Sequence, residues 1–173
     1  MKPPNNLTVL ALDLATTTGF AVLAAGVVSS GSVSFARQKG RKHVPDEHEG
    51  VAYIRFQKWL REALALYKPT VVVFEEPMGN FKNAAARNII VGFRGIMMST
   101  VAYYNLTAWG YPQGRVKMFW TGKGNAKKPE MVAETKRRFP DLELTTDDEA
   151  DALAVLHLHL HENLPSLRSR SSR

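Results

Sequence analysis

Cysteine is missing from all 173 residues of the sequence, which excludes a disulfide framework and a zinc site built from thiolates. A chain without disulfides suits a reducing compartment, so we expect a cytoplasmic protein. The first six residues lack the apolar core of a signal peptide. The most apolar later stretch, residues 89–98, contains Arg94 and is too short to span a bilayer, so a membrane is not an expected partner.

Acidic side chains are in the minority, since 16 Asp and Glu stand against 23 Lys and Arg for a formal net charge of +7. Such an excess favours a polyanionic partner. The acids concentrate in residues 141–151, whereas bases cluster in residues 37–42, 115–128 and 136–138. Basic surroundings with a local acidic cluster suit a protein that holds phosphates and binds a cation, although solvated basic surfaces explain the charge equally well.

The length allows one domain with a full core, and we assign residues 1–165 to it and residues 166–173 to a basic, disordered tail. Apolar alternation and turn residues predict strands and helices in the order β-β-β-α-β-α-β-α-α. This order predicts an α/β fold with a mixed five-stranded sheet, three antiparallel strands followed by parallel ones, flanked by helices. The predicted strands are 7–14, 20–24, 27–35, 70–75 and 115–119, with a turn at 16–19, and the predicted helices are 51–66, 84–104, 128–139 and 147–162.

Four acidic residues, far apart in the sequence, occupy positions where a negative charge is costly. Asp13 interrupts the apolar run 9–14 (VLALDL), and Glu75 ends the run 71–75 (VVVFE). Asp148 and Asp151 are three apart, so they share one face of a helix. Carboxylates at the ends of buried strands lose hydration and repel one another when they converge. A divalent cation relieves both penalties, so the pattern predicts a metal site.

The ligand chemistry narrows the choice of metal. Oxygen-only ligands favour Mg²⁺ or Mn²⁺, and four carboxylates suit two ions that activate water for phosphodiester cleavage. Each acidic position alone is weak evidence for a metal site. Asp148 and Asp151, for example, also suit the start of a helix without any metal. The neighbouring acids Glu76 and Asp147 stay open as alternative ligands.

Five segments resemble one known family. Residues 10–15 (LALDLA) and 18–22 (TGFAV) resemble the first hairpin of the RuvC-type Holliday junction resolvases. Residues 72–77 (VVFEEP) resemble their second acidic strand, and residues 148–154 (DEADALA) their final acidic helix. The basic loop 122–128 (GKGNAKK) precedes the penultimate helix, as in that family. The pattern is most similar to divergent bacteriophage-type members.

The resemblance implies an RNase H-like fold, a homodimer, and nicking of four-way or other branched DNA with two Mg²⁺ ions per site, for which Mn²⁺ substitutes. It places the metal ligands and catalytic acids at Asp13, Glu75, Asp148 and Asp151, with Glu75 preferred as the first acid after its apolar run. The cell is then expected to be a bacterium or a phage-infected host.

Basic and aromatic residues beside these motifs are the expected DNA contacts. Lys128 is expected to act in catalysis on the scissile phosphate, with Lys127 beside it. Solvated surface charge is the alternative explanation for the basic residues. For the dimer interface, the sequence suggests helix 84–104 through Ile89, Ile90, Phe93 and Met97, with close packing at its two glycines. The DNA-contact set is Lys123, Lys127, Lys128, Phe81, Lys82 and Arg87, with Phe81 or Met78 as a wedge into the junction.

Two alternatives remain. The same metal site fits an RNase H-like nuclease acting on flaps, packaging intermediates, RNA–DNA hybrids or ribosomal RNA precursors, because substrate choice resides outside the acid cluster. Residues 13–19 (DLATTTG) also resemble the phosphate-binding hairpin of actin-like and sugar-kinase ATPases. Those proteins usually need two such domains, whereas this chain has the length of one.

Overall fold

The computed structural model describes residues 7–40, 47–77 and 84–164, and within them it contains five strands and five helices. The strands are β1 (Val9–Asp13), β2 (Thr17–Ala24), β3 (Val27–Ser34), β4 (Val71–Glu76) and β5 (Thr107–Pro112). The helices are α1 (Glu49–Tyr67), α2 (Ala84–Tyr103), α3 (Gln113–Thr121), α4 (Lys128–Arg138) and α5 (Asp147–Asn163). None of the helices in these ranges combines the length and the hydropathy of a membrane-spanning segment.

The strands form one mixed sheet in the order β3-β2-β1-β4-β5. Strands β1, β2 and β3 pair in antiparallel fashion, while β1–β4 and β4–β5 are parallel. The predicted fold class is therefore confirmed. Helices cover both faces, which explains why β1 and β4 are continuous apolar runs without polar alternation.

Two hydrophobic cores lie on opposite faces of the sheet. On one face α5 packs closely over β1 and β2, and its small residues Ala152 and Ala154 belong to the core between the helix and the sheet. On the other face α1 and α2 pack together, with Phe56 and Phe93 stacked at a ring-centroid distance of 4.4 Å. The α5 face carries the carboxylates described below.

The predicted turn at residues 16–19 was wrong, because β2 already begins at Thr17. Thr17 pairs with Ser34 and Thr18 with Val33 in the ladder to β3. The chain reverses earlier, where the Thr18 hydroxyl donates a 2.7 Å hydrogen bond to the Ala15 carbonyl.

The predicted strand at residues 115–119 was also wrong, since these residues belong to helix α3. Helical spacing puts Val116 and Trp120 on one buried face, where both pack against α5. The fifth strand lies earlier, at Thr107–Pro112, and pairs with β4 from Val71 opposite Thr107.

The suggested interface on α2 needs correction as well. Ile89, Phe93 and Met97 are buried in this chain's own core, because the apolar face of an amphipathic helix packs first on its own sheet. The expected close packing is present at Gly92, which lies against the Tyr53 ring. It is missing at Gly95, where an added Cβ would meet no atom within 4 Å among the described residues.

Candidate active site

Strand register brings Asp13 and Glu75 side by side. Leu12 pairs with Phe74 in the parallel ladder of β1 and β4, so the residue that follows each stands next to the other. Alternation along a strand places Asp13 on the side of Ala11, and Glu75 on the side of Val73. Both of those apolar residues belong to the core beneath α5, so both carboxylates face that helix.

The first two turns of α5 supply the other two acids, Asp148 and Asp151. The hydroxyl of Thr146 caps the helix by accepting a hydrogen bond from the Glu149 N–H at 3.2 Å. The helix start lies directly on β2, where a Cβ at Gly19 would overlap the Asp148 carbonyl. Glycine at this position therefore allows Asp148 and Asp151 to reach the strand ends.

The four carboxylates line one open cleft of about 460 Å³. Glu75 and Asp151 are 6% and 8% exposed, and Asp148 is half-buried. Lys128 and Gln113 complete the polar wall, while Pro77 and Ile90 form an apolar side. The sequence prediction that these acids converge is thus matched by their positions.

Burial and mutual repulsion disturb the ionisation of these acids. Burial, followed by the charges of Glu75 and Asp151, raises the pKa of Asp13 well above its ordinary value. Burial and the charge of Glu75 raise the pKa of Asp151 to about 7. The pKa values of Glu75 and Asp148 are also raised, chiefly by burial. Clusters of this kind commonly mark functional sites.

Two of the carboxylate oxygens lack a hydrogen-bond partner. Glu75 Oε2 and Asp151 Oδ1 are buried without a donor in the described part of the chain. Across residues 7–40, 47–77 and 84–164, no three acidic or histidine side chains form a ready-made metal cage. The acids therefore line a cleft whose orphaned oxygens fit a hard cation.

Comparison with known proteins identifies the relatives of this fold. No family model matches the sequence. The RuvC crossover junction endodeoxyribonuclease of Rickettsia typhi is 32% identical over 123 residues, covering 69% of this chain and 76% of the relative. That of Rickettsia prowazekii is 31% identical over 120 residues, covering 68% and 74%. This chain belongs to the RuvC family.

Solved structures agree with this RuvC-family fold. Thermus thermophilus RuvC in complex with a Holliday junction substrate superposes with a TM-score of 0.69 at 19% identity, covering 93% of this chain and 97% of that chain. The yeast mitochondrial Holliday junction resolvase Ydc2 gives a TM-score of 0.59 at 11% identity, covering 85% and 75%. At these identities the likeness supports the RNase H-like fold.

Lys128 stands at the mouth of the cleft of this RuvC-family chain. Its Nζ lies 2.6 Å from Asp147 Oδ2 and 3.2 Å from Asp148 Oδ1. Burial lowers the pKa of Lys128, but the hydrogen bonds and charges of these two acids outweigh burial and raise it. Lys128 in turn lowers the pKa of Asp147. Asp147 is therefore engaged as the partner of the lysine.

The alternative acid Glu76 lies on the other face of the sheet. Arg94 donates two hydrogen bonds to its carboxylate, at 3.0 and 3.1 Å. Glu75, by contrast, accepts a 2.7 Å hydrogen bond from Gln113 Nε2 inside the cleft. The sequence analysis missed Gln113 because it placed the fifth strand at residues 115–119 instead of Thr107–Pro112. The alternation of Trp109 and Tyr111 was the sequence signal for the correct strand.

The expected DNA contacts occupy different places in the RuvC-family fold. Lys127 precedes α4 and Arg87 is exposed in α2. Lys123 is not among the residues that line the cleft, and it pairs with Glu130 at 2.8 Å. The expected contacts Phe81, Lys82 and Met78, together with the tail 166–173, lie outside the described residues.

A second groove, of about 320 Å³, shares the lining residues Thr16 and Ala86 with the cleft. Arg37 and Lys39 contribute basic side chains to it, and both are exposed. In the sequence, Arg37 and Lys39 are visible only as part of a charge cluster. Their place in the groove depends on the path of the chain after β3, which the sequence does not reveal.

Proposed function

We propose that this RuvC-family chain is an Mg²⁺-dependent endonuclease that nicks Holliday junctions and related branched DNA. The observation that carries the proposal is the pair of buried, partnerless oxygens of Glu75 and Asp151, within the described residues, in a cleft with two further carboxylates. The curated relatives named crossover junction endodeoxyribonuclease support the reaction. Family membership also argues against the ATP-binding alternative.

The residues suited to hold two Mg²⁺ ions are Asp13, Glu75, Asp148 and Asp151, and Mn²⁺ is expected to substitute because it accepts the same oxygen ligands. When bound, such ions lower the pKa of an attacking water and stabilise the leaving oxygen.

The remaining polar groups of the cleft act on the substrate and on the acids. Gln113 fixes one oxygen of Glu75 and leaves the other free for a ligand. Lys128 can exchange its carboxylate partners for a phosphate oxygen, where its charge stabilises the negative charge that develops during cleavage.

The DNA path extends from the cleft into the neighbouring groove. Arg37 and Lys39 line that groove beyond Thr16, so they can contact phosphates of the strand that leaves the cleft. Lys127 and Arg87 directly adjoin the cleft-lining residues Lys128 and Ala86 in the sequence, and they retain their proposed role. Because such contacts displace counterions, binding should weaken steeply with salt.

A homodimer remains part of the proposal, since a two-fold junction suits a two-fold protein. Val91 and Met98 are outward apolar residues of α2, with 53% and 38% of their surface exposed. With Gly95 they form one stripe at i, i+4 and i+7, and this stripe replaces the buried residues as the proposed interface.

The test is cleavage of a synthetic four-way junction with Mg²⁺ by Asp13→Asn. This change keeps the shape of the side chain but removes a ligand charge, so binding should persist while cleavage is lost. The matched control is Asp141→Asn, since Asp141 is exposed and outside the cleft. Undiminished cleavage by Asp13→Asn would refute the proposed site. A panel of four-way junction, flap, RNA–DNA hybrid and linear duplex separates the junction resolvase from a nuclease with another substrate.

A further inference from the structure

Glu149 lies between Asp148 and Asp151 in the sequence but points away from the cleft. It is 1% exposed, and its carboxylate reaches the edge strand β3. Oε1 accepts a 2.7 Å hydrogen bond from the Ser30 hydroxyl. Oε2 accepts hydrogen bonds from the Thr145 N–H and the Thr145 hydroxyl, both at 2.8 Å.

These hydrogen bonds explain how a carboxylate is tolerated in the interior. A buried charge is costly unless donors surround it, and hydrogen bonds to a charged acceptor are stronger than neutral ones. The Thr145 hydroxyl also lies 3.3 Å from the Ser32 hydroxyl, so β3 contacts the start of α5 at two positions, Ser30 through Glu149 and Ser32 through Thr145. The first turn of α5 is thus fastened to the sheet through Glu149.

The helix start is fixed from two directions. At β2, Gly19 lets the Asp148 backbone approach directly, and at β3 Glu149 sets the rotation of the helix. Successive residues of a helix are turned by about 100°, so holding Glu149 toward β3 holds Asp148 and Asp151 toward Asp13 and Glu75.

We propose that Glu149 is a positioning residue that holds Asp148 and Asp151 in the geometry needed to bind the cation. This inference rests on the proposed function, because it assigns a role in building the same metal site. Groups that orient metal ligands typically change metal affinity by about 10–100-fold when removed, although they do not touch the metal.

The experiment compares Glu149→Ala and Glu149→Gln with Glu143→Ala, whose side chain is exposed in the preceding loop. Melting temperature is measured with and without Mn²⁺, and junction cleavage is titrated with Mg²⁺ well below each melting temperature. Glu149→Ala should raise the half-saturating Mg²⁺ concentration about tenfold or more and shrink the Mn²⁺-induced melting shift. Glu149→Gln retains an acceptor for Thr145 and should restore most of the affinity, while Glu143→Ala should match wild type.

A Glu149→Ala protein that melts earlier but keeps the wild-type Mg²⁺ titration and Mn²⁺ shift would overturn the inference, because its role would then be limited to stability. If wild type itself shows no Mn²⁺ shift, the proposed metal site fails, which is a different result. Should Glu149→Ala not fold, Ser30→Ala carries the test, since it removes one donor and should raise the half-saturating Mg²⁺ concentration by roughly two- to fivefold. An unchanged titration for Ser30→Ala would then count against the inference.

Discussion

At Asp151, folding favours the protonated carboxyl, whereas cation binding requires the ionised one. Burial and the neighbouring Glu75 raise its pKa to about 7, well above the value of an exposed aspartate. A raised carboxyl pKa means that the fold prefers the protonated form. The resulting penalty is absent below the unfolded pKa, grows as the pH rises from that value to the folded pKa, and is complete above the folded pKa.

Asp151→Asn should therefore stabilise the metal-free protein at pH 8 by up to about 4 kcal/mol, because the pKa of Asp151 is raised from about 4 to about 7 and each pKa unit corresponds to about 1.4 kcal/mol. The same change should abolish cleavage. At pH 4 the gain should largely disappear, because wild type then carries the proton itself. Urea unfolding in EDTA at both pH values measures the difference. Equal stability of the two proteins at pH 8 would show that the carboxylates do not strain the fold.

The two lysines of residues 122–128 should differ in importance although they are close in sequence. Lys128 contacts the acids at the cleft, whereas Lys123 pairs with Glu130 elsewhere. Lys128→Gln should reduce junction cleavage by about 100-fold without weakening the Mn²⁺-induced melting shift. Lys123→Gln should lower junction cleavage only slightly. Single-turnover cleavage rates test the contrast, and equal losses for both variants would contradict it.

At the level of single residues the sequence predicted the positions of the acids well, for a physical reason. A charge inside an apolar run has no ordinary structural use, so Asp13 and Glu75 are conspicuous in the sequence. The choice between Glu75 and Glu76 depends on which of the two adjacent residues faces α5. The ion pair of Glu76 with Arg94 shows that Glu76 faces the other side of the sheet. Gln113 and Glu149 carry no such signal, because their roles arise from contacts across the chain.

Among the secondary-structure elements, long periodic segments were predictable and short ones were not. Helices α1, α2, α4 and α5 follow the predicted ranges to within a few residues, because each has an apolar face of helical period. Residues 115–119 alternate basic and apolar residues like a strand, but burial of Val116 and Trp120 against α5 decides in favour of a helix. Tertiary packing therefore overrides local pattern in this short segment.

The contact between β2 and α5 is an element-level feature that one substitution can test. Gly19→Ala places a Cβ against the Asp148 carbonyl, so the helix start must move. We expect a loss of about 1–3 kcal/mol in unfolding free energy together with a weaker response to Mn²⁺.

Gly114→Ala is the matched control for that change, since its Cβ would lie 3.7 Å from the nearest atom, the Gly124 carbonyl oxygen. Replacing a helical glycine there should be neutral or stabilise the protein by about 0.5–1 kcal/mol. Urea unfolding with and without Mn²⁺ checks both variants. A wild-type Mn²⁺ response in Gly19→Ala would separate the position of α5 from metal binding.

For the whole molecule, the sequence predicted the fold class but misidentified the outward face of α2. The fold class was predictable because the order of strands and helices allows few packing arrangements for a mixed sheet. The apolar residues of α2 are numerous enough to serve two surfaces, and sequence alone does not say which side meets the sheet. Burial of Phe93 and Met97 leaves Val91 and Met98 for a partner.

Val91→Glu and Met98→Glu should each convert the proposed dimer to a monomer, because a charge in an apolar interface is desolvated without a partner. Val27→Glu is the control, since Val27 is 68% exposed at the start of β3, away from α2. Sedimentation velocity measures the oligomeric state, and paired nicking of a four-way junction should fall with it. The Mn²⁺-induced melting shift should persist in the monomers, because the four carboxylates come from one chain. A wild-type sedimentation coefficient in both α2 variants would move the interface to another surface while leaving the cleft intact.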